Sequence, residues 1–234
     1  MIHLLLSPEQ FAGAAATVEG EAHHHLFRVR RAVAGERLRV VDGRGAARWA
    51  TIATIDRRTA RLALGDAAPP NEPGLAVTVV VATPKPERAA WLVEKTTELG
   101  VVAVRFAVAE REARRPLAAQ LERWRRIAVS AVEQCGRSVV PEIVAAGTLD
   151  EELERGAADG AAIAVLDGEG RHVAPVPGAD GRVALFVGPE GGWSPAERTS
   201  FVRRGAGLWR LGGTVLRVET AAVVAAGLVL AAEA

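Results

Sequence analysis

Val187-Gly188-Pro189-Glu190-Gly191-Gly192 and, further on, Leu211-Gly212-Gly213-Thr214-Val215-Leu216-Arg217-Val218-Glu219-Thr220-Ala221 have the residue types and spacing of a small-molecule cradle. Each reads as the end of an apolar strand running into a turn beside the start of a helix. Glycines, with no Cβ, let a ligand approach the backbone closely, and the orphan N–H groups of a helix end favour an anionic or hydrogen-bonding partner. Ser194-Pro195-Ala196-Glu197 supplies the first helix start, with Ser as the cap, Pro at the first helical position and Glu placed to close a capping box. A single glycine turn of this kind is common in any α/β protein. Two of them, with Arg217 and Glu219 interrupting an otherwise apolar tail from Val215 to Ala232, point to chemistry, because a helix built only for the core would carry neither charge.

The elements that must position these loops can be read around them. At 234 residues the chain has room for one large domain or two smaller ones. Ala67-Ala68-Pro69-Pro70-Asn71-Glu72-Pro73-Gly74 is the clearest boundary, since three prolines and a glycine continue neither a helix nor a central strand. It predicts domains over 1–68 and 75–234 with a linker at 69–74. Upstream, alternating runs at Leu38–Val41, Arg48–Ile55 and Ala60–Leu64 predict a small antiparallel sheet or barrel. Downstream, apolar strands at Leu75–Thr83, Val101–Ala109, Ile143–Ala145, Ala161–Leu166, Val183–Val187 and Leu208–Leu211 alternate with helices at Glu87–Leu99, Leu117–Cys135, Pro195–Arg204 and the tail. That pattern is an α/β domain, a parallel sheet covered on both faces. In the long helix Leu117, Leu121, Trp124, Ala128, Ala131 and Cys135 form one apolar stripe, Glu133 falls on the solvent side, and Gly136 is the stop.

Several chemistries are excluded. His23-His24-His25 cannot converge three consecutive side chains on one metal, and neither Cys-x-x-Cys nor His-Glu-x-x-His accompanies them. There is no serine-nucleophile elbow, no phosphate loop ending in Lys-Ser/Thr, and no dinucleotide fingerprint after the first downstream strand. The single cysteine, Cys135, forms no internal disulfide, and with no secretory leader and no spanning tract it predicts a cytoplasmic protein without a membrane anchor. Net charge is only +1, but all basic residues except Lys85 and Lys95 are arginines, clustered at Arg28-Val29-Arg30-Arg31, Arg57-Arg58, Arg114-Arg115 and Arg125-Arg126. Planar guanidinium groups suit phosphate contacts. Arg28 and Arg30, sharing one face of an extended segment, together with Lys85 and Arg137, are the candidate RNA contacts.

Four segments in order resemble the bacterial 16S ribosomal RNA uridine-N3 methyltransferases, the small subunit methyltransferase E family of the knotted SPOUT superfamily. They are His25–Arg31; Lys95-Thr96-Thr97-Glu98-Leu99-Gly100-Val101; Glu133-Gln134-Cys135-Gly136-Arg137 with Val140-Pro141-Glu142; and the two glycine loops. The resemblance implies an N-terminal PUA-like RNA-binding β-barrel and a C-terminal SPOUT-type parallel sheet ending in a trefoil knot. It implies S-adenosylmethionine as methyl donor, 16S rRNA or the small ribosomal subunit as substrate, and a homodimer. Two departures stand out: Gly213-Thr214 where the family usually has Pro-Arg, and Val218 where it has Thr.

Carried onto these residues, the resemblance implies a cofactor held by the backbone of Gly188, Glu190, Gly191 and Gly192, of Leu211 and Gly212, and of Val215 and Leu216, with Leu166. Uracil N3 is a poor nucleophile until its proton leaves, so a base and a charge-stabilising group must act there. Arg217 is the candidate for the charge, and Glu190 or Glu219 for the proton. The alternatives are methylation of a ribose 2′-hydroxyl with the same loops, and a non-catalytic RNA-binding protein whose glycine loops are only turns.

Overall fold

Buried and exposed residues alternate along β2 (Ala15–Glu19) and the first half of β5 (Thr59–Ala67), as they do in strands with one face on a core. A computed structural model of the chain describes the backbone of residues 1–178 and 180–232, with the side chains of all of these except His25, Arg28 and Val29. The chain divides into two compact units, Met1–Glu72 with Val132–Val140, and Pro73–Ala131 with Pro141–Ala234. Among the described residues no helix is long and apolar enough to cross a membrane.

In the first unit, β1 (His3–Leu5), β3 (Arg37–Val41) and β4 (Ala47–Ile55) join β2 and β5 in a sheet of order β1-β3-β4-β5-β2. Pairing is antiparallel except for β1 with β3, which run parallel, so the sheet is mixed where alternation alone predicted antiparallel strands. Leu4, Val18, Leu26, Leu38, Ile52 and Leu62 fill its core. The segment around Arg28 and Arg30 is not extended. After α1 (Pro8–Ala12) and β2, a short helix α2 (Gly20–His23) continues into a π-helical turn, His24–Val29. Its cause is a side-chain pair at helical spacing: the buried His23 ring packs on Phe27 with centroids 4.8 Å apart, and Nε2 lies 3.2 Å from the Asp56 carbonyl oxygen.

Val132–Val140 is tied to this unit by buried polar groups. Arg39 donates to the carbonyls of Gly136 (2.7 Å) and Pro69 (2.9 Å) and to Ser138 Oγ (2.6 Å). Glu133 does not face solvent, since its Oε1 accepts the Leu5 N–H at 3.0 Å. Gly136 is the helix stop, at φ +79°, and a Cβ there would come within 2.7 Å of the His3 ring.

The second unit is built on a parallel sheet of order β11-β9-β10-β6-β7-β8. Its strands are β6 (Ala76–Ala82), β7 (Ala103–Val108), β8 (Glu142–Thr148), β9 (Ala162–Arg171), β10 (Arg182–Val187) and β11 (Gly207–Trp209). The central strands β6 and β10 are buried almost throughout, which requires cover on both faces. On one face Leu153 of α5 (Leu149–Ala158) and Phe201 of α6 (Pro195–Arg203) pack with Val80 and Phe186. On the other, α7 (Val218–Ala231) lies on β6 and β10 and against α3 (Pro86–Leu99). Each fully buried side chain of this kind stabilises the fold by about 1.5–3 kcal/mol. The chain leaves the sheet at its β11 edge and returns to its centre in α7, the path that a threaded C-terminus requires. In the long helix α4 (Ala118–Cys135), Trp124 packs on Phe106 at 4.5 Å, whereas Leu117 precedes the helix and is exposed.

Candidate active site

Three strand ends open side by side. β10 stops at Val187 where the first glycine loop begins, β11 stops at Trp209 just before the second, and β9 runs on past Leu166, the residue opposite Val187. Ligands of parallel α/β sheets bind beyond such carboxyl ends. Here the three ends and the start of α7 enclose a cleft of about 410 Å³, within the usual size of a small-molecule site.

Local sequence explains the shape. Ser194 Oγ accepts the Glu197 N–H and Glu197 Oε2 accepts the Ser194 N–H, so the capping box forms and fixes the start of α6. Immediately before it, the buried Trp193 donates Nε1–H to the Leu166 carbonyl at 2.9 Å, tying the first glycine loop to β9. Gly188 makes room for this indole, because a Cβ there would lie 2.8 Å from the ring. Gly212 has nothing within 4 Å of where a Cβ would sit, so the space beside it is open to a ligand. Apolar side chains of Leu211, Leu216 and Val218 share the wall with Asp167. Asp167 is buried; Oδ1 accepts the Glu169 N–H at 2.8 Å, and Oδ2 sits 3.0 Å from Arg198 Nε without the alignment of a hydrogen bond. This carboxylate is shut away from solvent, with its charge balanced by Arg198. The hydrogen bond to Glu169, with the charge of Asp167, holds the Arg198 guanidinium above its ordinary range against the effect of burial, so it stays cationic.

Of the cleft's lining residues, Glu190 meets α3: Arg88 binds it through Nη1, and the Arg88 Nε lies 3.6 Å from Glu219 Oε1. Glu190 is two-thirds exposed; Glu219 is buried, and its Oε2 has no hydrogen bond among the described residues. Further along α3, Lys95 bonds Glu94 and Glu98, and these hold its ammonium above the ordinary range.

The structure brings together Leu166, Gly188, Glu190, Gly192, Leu211, Gly212, Val215 and Leu216 around the cleft. Gly191 is outside it, facing Arg111, whose Nη1 donates to the Gly191 carbonyl at 2.5 Å. Arg217 is the N-cap residue of α7, exposed, outside the lining, and its guanidinium has no partner among the described residues. Of the RNA candidates, Arg30 and Lys85 are exposed, and the Arg28 side chain lies outside the described residues. Arg137 is turned inward: 3% exposed, it gives Nε and Nη2 to Glu72 at 2.9 and 2.7 Å, while Glu72 also accepts the Val139 N–H. It is a structural cation of the first unit and presents no face to a nucleic acid.

Sequence reasoning missed Asp167, Trp193 and Arg88. Asp167-Gly168 follows the apolar run Ala161–Leu166 as Gly188 follows Val187, a sequence signal of the same kind, although β9 itself continues to Arg171. Arg88 carries no such signal, because its partners are more than a hundred residues away in the chain.

A family model for an RNA methyltransferase domain matches residues 71–230, and one for an RNA methyltransferase PUA domain matches residues 18–64. The chain is 36% identical over 228 residues to a ribosomal RNA small subunit methyltransferase E from Mycobacterium bovis, spanning 93% of this chain and 86% of that one. It is 33% identical to the protein of the same name from Synechocystis, spanning 95% and 75%. The crystal structure of a ribosomal RNA small subunit methyltransferase E from Neisseria gonorrhoeae bound to S-adenosyl methionine superposes with a TM-score of 0.82 at 26% identity, covering 97% of this chain and 96% of that one.

Proposed function

The chain belongs to the RNA methyltransferase family of the ribosomal RNA small subunit methyltransferases E, and on that premise we propose that it transfers a methyl group from S-adenosylmethionine to N3 of a uridine in 16S rRNA. The observation that carries this reading is the cleft beside β9 at the ends of β10 and β11, with its open glycine wall and apolar lining.

The residues present fit the cofactor. Leu211, Val215 and Leu216 offer apolar surface for an adenine ring, and Gly212 leaves space against the backbone. Bound there, S-adenosylmethionine supplies an electrophilic methyl group on a sulfonium. The chain's own task is to make N3 of uracil a nucleophile. We assign acceptance of the N3 proton to Glu190, at the exposed end of the Arg88 pair; Glu219, buried behind Arg88, fixes that guanidinium in place. Arg217, next to Val218 of the cleft wall, stabilises the charge that develops on the uracil carbonyl oxygens. A paired uridine hides N3, so the base acts unpaired or flipped out. Arg28 and Arg30 of the first unit hold RNA phosphates.

The active form is a homodimer. Trp91 and Leu99 on α3 and Val224 and Leu228 on α7 are large apolar side chains left exposed on two helices that pack together. Calorimetric titration with S-adenosylmethionine separates an enzyme from an RNA-binding module: saturable binding to one site per chain is expected, and none at millimolar cofactor would contradict the reading.

A further inference from the structure

The loop leaving β10 has a cavity on each side. One is the cleft of about 410 Å³ at the ends of β9, β10 and β11; the other, about 270 Å³, lies beyond the ends of β6 and β7. In the sheet β10 stands between β9 and β6, so residues 188–191 form the partition. Pro189, Glu190 and Val218 line both cavities. The second differs in chemistry from the first: Lys85, Arg88, Arg111 and Arg114 face Glu112 and Glu190, an excess of positive charge. Arg88 meets Glu190 and Glu219 through Nη1 and Nε, Arg114 Nη2 comes only to 3.8 Å from Glu112, and the Lys85 ammonium has no hydrogen-bond or ion-pair partner among the described residues. Arg111 uses Nη1 on the Gly191 carbonyl.

We propose that this second cavity is the pocket for the target nucleotide, a uridine 5′-phosphate unit, with Lys85 and Arg114 on the phosphate and Arg88, Glu190 and Arg111 on the base edge. The proposal rests on the methyltransferase reading. Uracil presents O2 and O4 as acceptors on either side of the N3–H donor, and a cavity lined by the Glu190 carboxylate with the Arg88 and Arg111 guanidinium groups holds the complementary acceptor and donors. Cytosine has a bare N3 lone pair at the same place, which would meet the Glu190 carboxylate with no proton between them. Such unpaired polar contacts are a strong basis for discrimination. Because Glu190 belongs to both walls, a uracil read by it has N3 at the boundary with the cofactor cleft.

The test uses the full chain saturated with S-adenosylhomocysteine and titrated with uridine 5′-monophosphate, uridine and cytidine 5′-monophosphate. Uridine monophosphate should bind roughly tenfold or more tightly than cytidine monophosphate. Lys85→Ala should weaken uridine monophosphate about tenfold while leaving uridine and S-adenosylhomocysteine unchanged. Glu190→Gln, whose amide both donates and accepts, should bring the two monophosphates to within about threefold of each other. Equal binding of the two nucleotides by the unsubstituted chain, or an unchanged affinity for uridine monophosphate in Lys85→Ala, would overturn the pocket. A chain that binds S-adenosylhomocysteine but neither nucleotide would overturn it too and leave the methyltransferase reading intact; failure to bind S-adenosylhomocysteine would overturn both.

Discussion

Glu190 and Glu219 share a single guanidinium. Arg88 bonds Glu190 through Nη1 and holds Nε 3.6 Å from Glu219 Oε1, so a loop after β10 and the first turn of α7 are joined through a helix that neither loop adjoins in sequence. Arg88→Met would leave the buried Glu219 carboxylate without its counter-charge. A loss of about 1–3 kcal/mol is expected, read as a fall in Tm of several degrees. Glu219→Gln in the same chain should recover much of it, because the two changes couple through one contact. Additive losses in the double variant would show that Arg88 does not neutralise Glu219.

The glycines of the cleft divide into two kinds, and substitution should separate them. Gly212→Val adds a side chain to open space, so S-adenosylmethionine affinity should fall at least tenfold, about 1.4 kcal/mol, at unchanged Tm. Gly188→Ala instead pushes on Trp193 and should lower Tm, at a cost of about 1–3 kcal/mol. Unchanged cofactor affinity in Gly212→Val, measured by calorimetry, would remove the second loop from the binding site.

Arg137 and Arg30 should fail in different ways. Arg137→Ala leaves Glu72 partly buried and unpaired, and about 3 kcal/mol or more of stability should go with it. Arg30→Ala should leave Tm in place and reduce the slope of log affinity for RNA against log salt by roughly 0.7–0.9. A wild-type slope in Arg30→Ala would exclude a phosphate contact there.

Arg217→Ala removes an exposed side chain with no partner among the described residues, so neither folding nor cofactor affinity should change. Turnover should drop by roughly two to four orders of magnitude. Parallel loss of cofactor binding, in a titration of the same variant, would make Arg217 a cofactor residue.

Burial, reinforced by the charge of Arg39, holds the His3 imidazole below its ordinary range, and its buried Nδ1 has no hydrogen bond. The unfolded chain therefore takes up this proton at higher pH than the folded one. Stability from His3 is fully present above about pH 6.5 and is lost as pH falls below it. Thermal melts should show a wild-type acid limb that flattens in His3→Leu; an identical pH dependence in the two would contradict the assignment.

Much of the cleft was legible because strand ends and helix starts are local. Ser194 and Glu197 specify the α6 cap within four residues, and Gly136 stops α4 on its own. What escaped depends on distant partners. Arg137 looks like a free cation until Glu72 folds against it, and the segment at Arg28 reads as extended until His23 and Phe27 pair. Helix α5 was missed although Thr148 and Glu151 form a capping box, because its glycine- and alanine-rich second half offers little apolar periodicity. Gly191 reads like its neighbours, but the turn directs its Cα toward Arg111 and away from the cleft.

The central claim, methyl transfer to N3 of a uridine, is tested most directly by the chemistry of the product. Small ribosomal subunits from cells lacking the gene would be incubated with the protein and methyl-labelled S-adenosylmethionine, and their 16S rRNA digested to nucleosides for mass spectrometry. Label in 3-methyluridine, reduced to background by Arg217→Ala, is the predicted result. Label on a ribose 2′-oxygen, or none in 16S rRNA while the cofactor is bound, would contradict it.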